Sequence, residues 1–175
     1  MITRKLAFGV SLGVLGSMSS LLDGVDREES WPQFRGHNGT AIAETQGIPV
    51  NLSRETLRWS VSLQGPGTSS PVIWGDHLFI TSEVRAEGKT VLNCLDASNG
   101  KTLWSRAIEG GDYKTHNFNN LASGTPSVTD SLVIIGWLDV PSKRAKLSAY
   151  THDGDIAWQQ DLGPHVSQHG VSFNP

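Results

Sequence analysis

Leu92-Asn93-Cys94-Leu95-Asp96-Ala97-Ser98-Asn99-Gly100-Lys101-Thr102-Leu103-Trp104 is the stretch that decides the fold of this chain. Apolar runs flank Asn99-Gly100, and an Asn-Gly pair tolerates the positive φ that a type I′ hairpin turn needs. The spacing therefore predicts strand, tight turn, strand. The same phrase recurs at Leu147-Ser148-Ala149-Tyr150-Thr151-His152-Asp153-Gly154-Asp155-Ile156-Ala157-Trp158, with Asp-Gly in place of Asn-Gly. In both copies a Trp stands four residues after the Gly.

Working outward, Trp59-Ser-Val-Ser-Leu63 aligns with Trp104-Ser-Arg-Ala-Ile108 and with Trp158-Gln-Gln-Asp-Leu162. Ser69-Ser70-Pro71-Val72 aligns with Gly124-Thr125-Pro126-Ser127-Val128, and Gly75-Asp76 with Asp130-Ser131. Trp59 to Trp104 spans 45 residues and Trp104 to Trp158 spans 54, the excess falling in the loop 109–122. A period of that length with several strands per unit marks a propeller or a related array. Four strands are expected in each unit, at 71–74, 77–82, 90–96 and 101–107, and again at 125–129, 132–137, 146–151 and 155–160. Leu78-Phe79-Ile80 and Val133-Ile134-Ile135 are continuous apolar runs, as in sheets covered on both faces. The fold class is thus all-β, a partial β-propeller of four-stranded antiparallel blades with two full blades and the start of a third.

Composition agrees with this. Hydrophobic residues make up 37% of the chain and Gly contributes 19 residues, which suits a turn-rich β protein. A net charge of −3 without a Lys/Arg cluster argues against nucleic acid as a partner. Arg4 and Lys5 precede an apolar run from Leu6 to Leu15 and the small residues Gly16, Ser17, Ser19 and Ser20, the order of a secretory signal peptide. That run is too short for a comfortable membrane span. The domains expected are a signal peptide at 1–24, a linker and lead-in at 25–58, and propeller repeats at 59–175. The mature chain is placed in the periplasm or outside the cell. Cys94 is the only cysteine, so no internal disulfide forms, and its apolar strand makes it a small buried hydrophobe. In Trp31-Pro32-Gln33-Phe34-Arg35-Gly36, two aromatics among Pro and Gly predict an irregular segment pinned by Trp31 and Phe34.

The phrase Asp96-Ala-Ser-Asn-Gly100-Lys101-x-Leu-Trp104 resembles the repeat of pyrroloquinoline-quinone (PQQ)-type β-propellers, the quinoprotein-like superfamily. Trp31 to Gly36, Ser69-Ser-Pro-Val-Ile-Trp-Gly-Asp76 and Leu162-Gly-Pro-x-x-Ser167-Gln-His-Gly170 resemble secreted PQQ-like repeat proteins of planctomycete-type bacteria. Those proteins are related to the propeller subunit of the outer-membrane assembly machinery. The resemblance covers residues 31–175. It implies rings of about seven or eight blades. Two blades cannot close such a ring, which leads to the expectation of a truncated form of a longer propeller.

The resemblance also makes PQQ a conceivable cofactor. A quinone dehydrogenase of that family is expected to carry a vicinal Cys pair, a Ca²⁺-binding Glu/Asn/Asp set and a catalytic Asp; a single Cys rules out the pair. Trp59, Trp104 and Trp158 recur in structural register, which favours packing between blades over stacking on a quinone. Asp96 fits turn chemistry. His165 and His169 are four apart, but Leu162-Gly163-Pro164 makes their segment a loop, so no metal site is expected. The residues favour an exported, non-enzymatic module for binding or scaffolding, without a cofactor; the alternative is an N-terminal fragment of a PQQ-dependent oxidoreductase. Loops leaving the last strand of each unit, at 64–70, 109–124 and 163–174, should emerge on one rim. His116, Asn117, Asn120, Gln168 and His169 are the candidates there for a protein or small-molecule ligand. The competing role for these residues is to satisfy backbone groups of long loops.

Overall fold

A computed structural model describes residues 30–43, 47–166 and 173–175. The expected signal peptide at 1–24 lies outside the described residues, as do Gln168 and His169. Among the described residues, nine strands form two antiparallel sheets. The first contains β1 (Ser30–Trp31), β2 (Val72–Trp74), β3 (His77–Val84), β4 (Lys89–Asp96) and β5 (Thr102–Ile108), in that order. The second contains β6 (Ser127–Val128), β7 (Leu132–Asp139), β8 (Arg144–Thr151) and β9 (Ile156–Pro164). Each expected strand is present, and the two sheets share even their irregularity. A register shift falls between Cys94 and Leu95 in one and between Ala149 and Tyr150 in the other. This is a partial β-propeller: two four-stranded blades, the first with an added inner strand.

The deciding hairpin differs in detail from the type I′ turn expected of it. Gly100 has φ 76°, but Asn99 is not among the positive-φ residues. The turn is the longer loop 97–101, closed by the Gly100 N–H to Asp96 O bond of 2.8 Å. Asp96 organises it. Its carboxylate accepts from the Ser98 hydroxyl (2.6 Å), the Ser98 N–H (2.8 Å) and the Asn99 side-chain amide (2.8 Å). These bonds, the Ser98 hydroxyl foremost, hold its carboxyl below the usual carboxylate range. Gly154, with φ 84°, closes the second hairpin by a 2.9 Å bond to Thr151 O.

The sheets stack face to face. Val72, Phe79, Leu92, Cys94 and Ile108 of the first meet Val128, Val133, Ile135 and Tyr150 of the second, with Trp74, Trp104 and Trp137 packed against them. Burying each such aliphatic or Phe side chain stabilises by about 1.5–3 kcal/mol, so this seam is the principal bond between the blades. Cys94 is fully buried and free, and burial pushes its thiol up to about 12. The connector 64–70 runs along the edge of β3, its Pro66 carbonyl accepting the Glu83 N–H at 2.8 Å. Residues 90–95 of β4 are all buried, including those on alternate faces of the strand.

The lead-in behaves only partly as its aromatics suggest. Ser30 and Trp31 pair with Trp74 and Ile73, and the Trp31 ring lies under Gly36, where a Cβ would come within 2.6 Å. Phe34 is 45% exposed, its ring beneath the Arg35 guanidinium at 5.8 Å, so Trp31 alone is the pin. Strand pairing, which no local pattern announces, anchors this segment.

Candidate functional site

Two repeated contacts join the units. At the outer strands, the Trp59 indole N–H donates to Ala97 O (3.0 Å), and the ring fills the space over Gly100, where a Cβ would stand 2.4 Å from it. One unit later, Trp104 donates to His152 O (2.7 Å) and lies over Gly154, 2.8 Å from a Cβ there. Arg106 braces the second contact, its Nε–H donating to Gly154 O (2.6 Å) and its guanidinium 5.5 Å from the Trp104 ring. Each Trp thus seats on the next Asx-Gly turn. Trp158 occupies the same register, opposite Ala149 as Trp104 is opposite Cys94, yet it remains 39% exposed.

The inner contact involves the residue before each strand-opening proline. The Ser70 N–H donates to Thr125 Oγ1 (3.0 Å), and the Thr125 N–H donates to Asn174 Oδ1 (2.8 Å). Ser70, Thr125 and Asn174 all carry a short oxygen-bearing side chain before a Pro, which lets each unit accept from the last.

The same contacts bring the inter-unit connectors side by side. Thr68 and Ser69 N–H groups both donate to Ala122 O, at 3.2 and 3.0 Å. The loop 109–124 is tied down along its length. Buried Glu83 accepts the Leu121 N–H (2.8 Å), Thr90 donates to Leu121 O (2.9 Å), and Arg85 reaches Tyr113 O (2.9 Å) and Asp112 (3.1 Å). Gly111 and Val140 N–H bonds, of 2.9 and 2.8 Å, attach it to the β3–β4 and β7–β8 turns of both blades.

On this loop the structure places three of the rim residues. Asn120 Oδ1 accepts the Ala122 N–H (2.9 Å), and Nδ1 of His116 accepts the Phe118 N–H (3.3 Å) beside the 90%-exposed Phe118 ring. Asn117 is exposed. Asn120 and His116 therefore serve their own loop, and Asn117 and Phe118 face solvent.

One concavity was not foreseen. A cavity of about 560 Å³ is lined by Gln33, His37, Asn38, Trp74, Thr129 and Asp130, among others. It lies beside the β6–β7 turn, away from the loop 109–124. Its polar residues come from three distant stretches, so no motif pointed to it. Among the described residues no group of three His, Cys, Asp or Glu could hold a metal ion. Trp59 and Trp104 each have a ring face and the indole N–H committed to the following turn. No helix among the described residues is long and apolar enough to cross a membrane.

A family model described as outer membrane protein assembly factor BamB matches residues 46–173, more than half of the chain. Among curated proteins, none matches the sequence. BamB of Moraxella catarrhalis is a similar solved structure, with 19% identity over 63% of this chain and 30% of that one, and a TM-score of 0.45. Quinohemoprotein alcohol dehydrogenase of Comamonas testosteroni shows 15% identity over 78% of this chain and 28% of that one, with a TM-score of 0.40. The chain spans less than a third of the length of either structure.

Proposed function

The chain belongs to the outer membrane protein assembly factor BamB family of PQQ-like propellers, and from that premise we propose that it is an exported, non-enzymatic module that works by binding or scaffolding another protein. The observation that carries this reading is the fate of the repeated tryptophans. Trp59 and Trp104 are spent on joining units, and Trp158 presents the same apolar ring on an outer sheet face. Such residues build a platform; they bring no nucleophile, acid–base pair or electron carrier with them.

In this reading the partner meets the loop 109–124, where Asn117 and Phe118 are exposed and His116 and Asn120 flank them; Gln168 and His169, expected on the same rim, lie outside the described residues. An exposed aromatic among amide side chains on a firmly tethered loop suits a protein contact, since little ordering entropy is lost on binding. The periplasm or the extracellular space is the expected compartment, and the net charge of −3 gives nucleic acid no purchase.

Two experiments test the proposal. Titration of the full chain with PQQ and Ca²⁺, followed by quinone absorbance and dye reduction, should give neither a saturable complex nor turnover. A stoichiometric, dye-reducing complex would establish the oxidoreductase reading instead. A photo-crosslinking residue at Asn117 should capture a discrete protein in the exporting cell, whereas one at Asn99, at the other end of β5, should not. Equal capture at both positions, or none at either, would remove the rim from the account.

A further inference from the structure

The two Trp-on-turn junctions differ at one place. His152 fills, in the second turn, the position that Ala97 fills in the first, and its carbonyl is the acceptor for Trp104. Its imidazole is wedged between the sheets. The ring centroid lies 5.5 Å from that of His77 on β3 and 5.5 Å from Phe79, and Nε2 is 3.0 Å from Thr129 O in the β6–β7 turn. A carbonyl only accepts, so Nε2 carries the proton and Nδ1 is the site a second proton would take.

We propose that the junction between the two blades is an acid-sensitive clasp, loosened when His152 is protonated, and that the Trp59 junction lacks this device. A cation at His152 would stand in a half-buried aromatic seam against a second imidazole. The charged and titratable groups facing it are His77 from β3, Asp130 from the β6–β7 turn, Asp153 of its own turn and Arg106 from β5, whose guanidinium is engaged at Gly154 O. Asp130 and Asp153 are exposed, so solvent and salt screen their attraction. Burial first, and His77 after it, hold the imidazole below the ordinary value of 6.5, against the pull of Thr129 O, Asp130 and Asp153.

The sign follows from linkage. A histidine with a depressed folded pKa binds its proton more readily once the seam opens. Its contribution to stability is full above about 6.5 and is lost as the pH falls toward the folded value. At the first junction Ala97 has no ring to protonate. The Trp59 junction is therefore an internal control.

The test uses hydrogen exchange of the indole N–H groups in the full chain, read by NMR at pH 7.5 and 5.5. The Trp104 rate divided by the Trp59 rate should rise on acidification, by up to about tenfold in all, since pH 5.5 lies about one unit below the open-state value of an ordinary histidine. His152→Gln keeps a donor for Thr129 O and should flatten the ratio; His77→Phe keeps the ring contact and should reduce its rise. Should His152→Gln fail to fold, the His152 Cε1–H titration in the unmodified chain reads the same property and should show a midpoint below 6.5. A ratio that does not change with pH, an equal rise in His152→Gln, or a His152 midpoint at or above 6.5 would overturn the proposal.

Discussion

Trp104 lies against Gly154: a Cβ at position 154 would stand 2.8 Å from its ring, and its indole N–H reaches His152 O at 2.7 Å. The glycine is needed twice over, for its φ of +84° and for the space above it. Gly154→Ala should therefore destabilise by about 2–4 kcal/mol, backbone strain and overpacking together. Gly100→Ala, under Trp59 with φ +76°, should act in the same direction. Urea unfolding midpoints check both.

The three repeat tryptophans should separate by burial rather than by motif. Trp104→Ala empties the seam between sheets and should cost about 3–5 kcal/mol. Trp158→Ala, at a ring already 39% exposed, should cost clearly less. Equal losses in thermal unfolding would mean that Trp158 is not on a free face.

The inner contact makes a narrower prediction. Thr125→Val keeps the shape of this buried side chain but removes the Oγ1 that accepts the Ser70 N–H. Leaving that donor without its partner should cost about 1–3 kcal/mol, and Thr125→Ser should restore most of it. Denaturant titration of the two variants decides.

Glu83 should control the loop 109–124. Its carboxylate holds the Leu121 N–H at 2.8 Å and lies 3.7 Å from Arg85, which in turn holds Tyr113 O. Glu83→Ala should make the chain more readily nicked between 112 and 120 by limited proteolysis, while Glu83→Gln, still an acceptor, should change the rate little. The crosslink expected at Asn117 should weaken with the first substitution and survive the second.

Cys94 should be inert in the native chain. A buried thiol pushed up to about 12 leaves only about one part in ten thousand as thiolate at pH 8. Labelling by a thiol reagent should follow global unfolding and accelerate in proportion to denaturant-induced opening. Rapid labelling of the folded protein would place Cys94 outside the core.

Much of this architecture was legible because hairpins are local. Gly100 and Trp104, or Gly154 and Trp158, sit within one turn and one strand of each other, so sequence spacing reports their geometry directly. The repeated phrase and the continuous apolar runs likewise placed β3, β4, β7 and β8 within two residues of their observed ends. What escaped depends on distant partners. Asn99 stays at negative φ because the Asp96 carboxylate draws the turn into a longer loop. Phe34 stays out because β1 pairing and the Trp31–Gly36 contact already fix the segment. His77 and His152 belong to different blades and meet only when the sheets stack. Of the candidate rim, the loop carrying His116, Asn117 and Asn120 was locatable from its excess length. Its attachment to Glu83 and Arg85 was not, since those residues look like an ordinary charged strand end.

The central claim is that the repeated tryptophan is a clasp to the next unit, made at Trp59 and Trp104, while Trp158 is partly exposed among the described residues. Indole hydrogen exchange at neutral pH reads all three positions in one spectrum. The account predicts strong protection of the Trp59 and Trp104 N–H groups, each bonded to a turn carbonyl, and exchange of the Trp158 N–H near the rate of a free indole. Fast exchange at Trp104, or protection at Trp158 equal to that at Trp104, would contradict it.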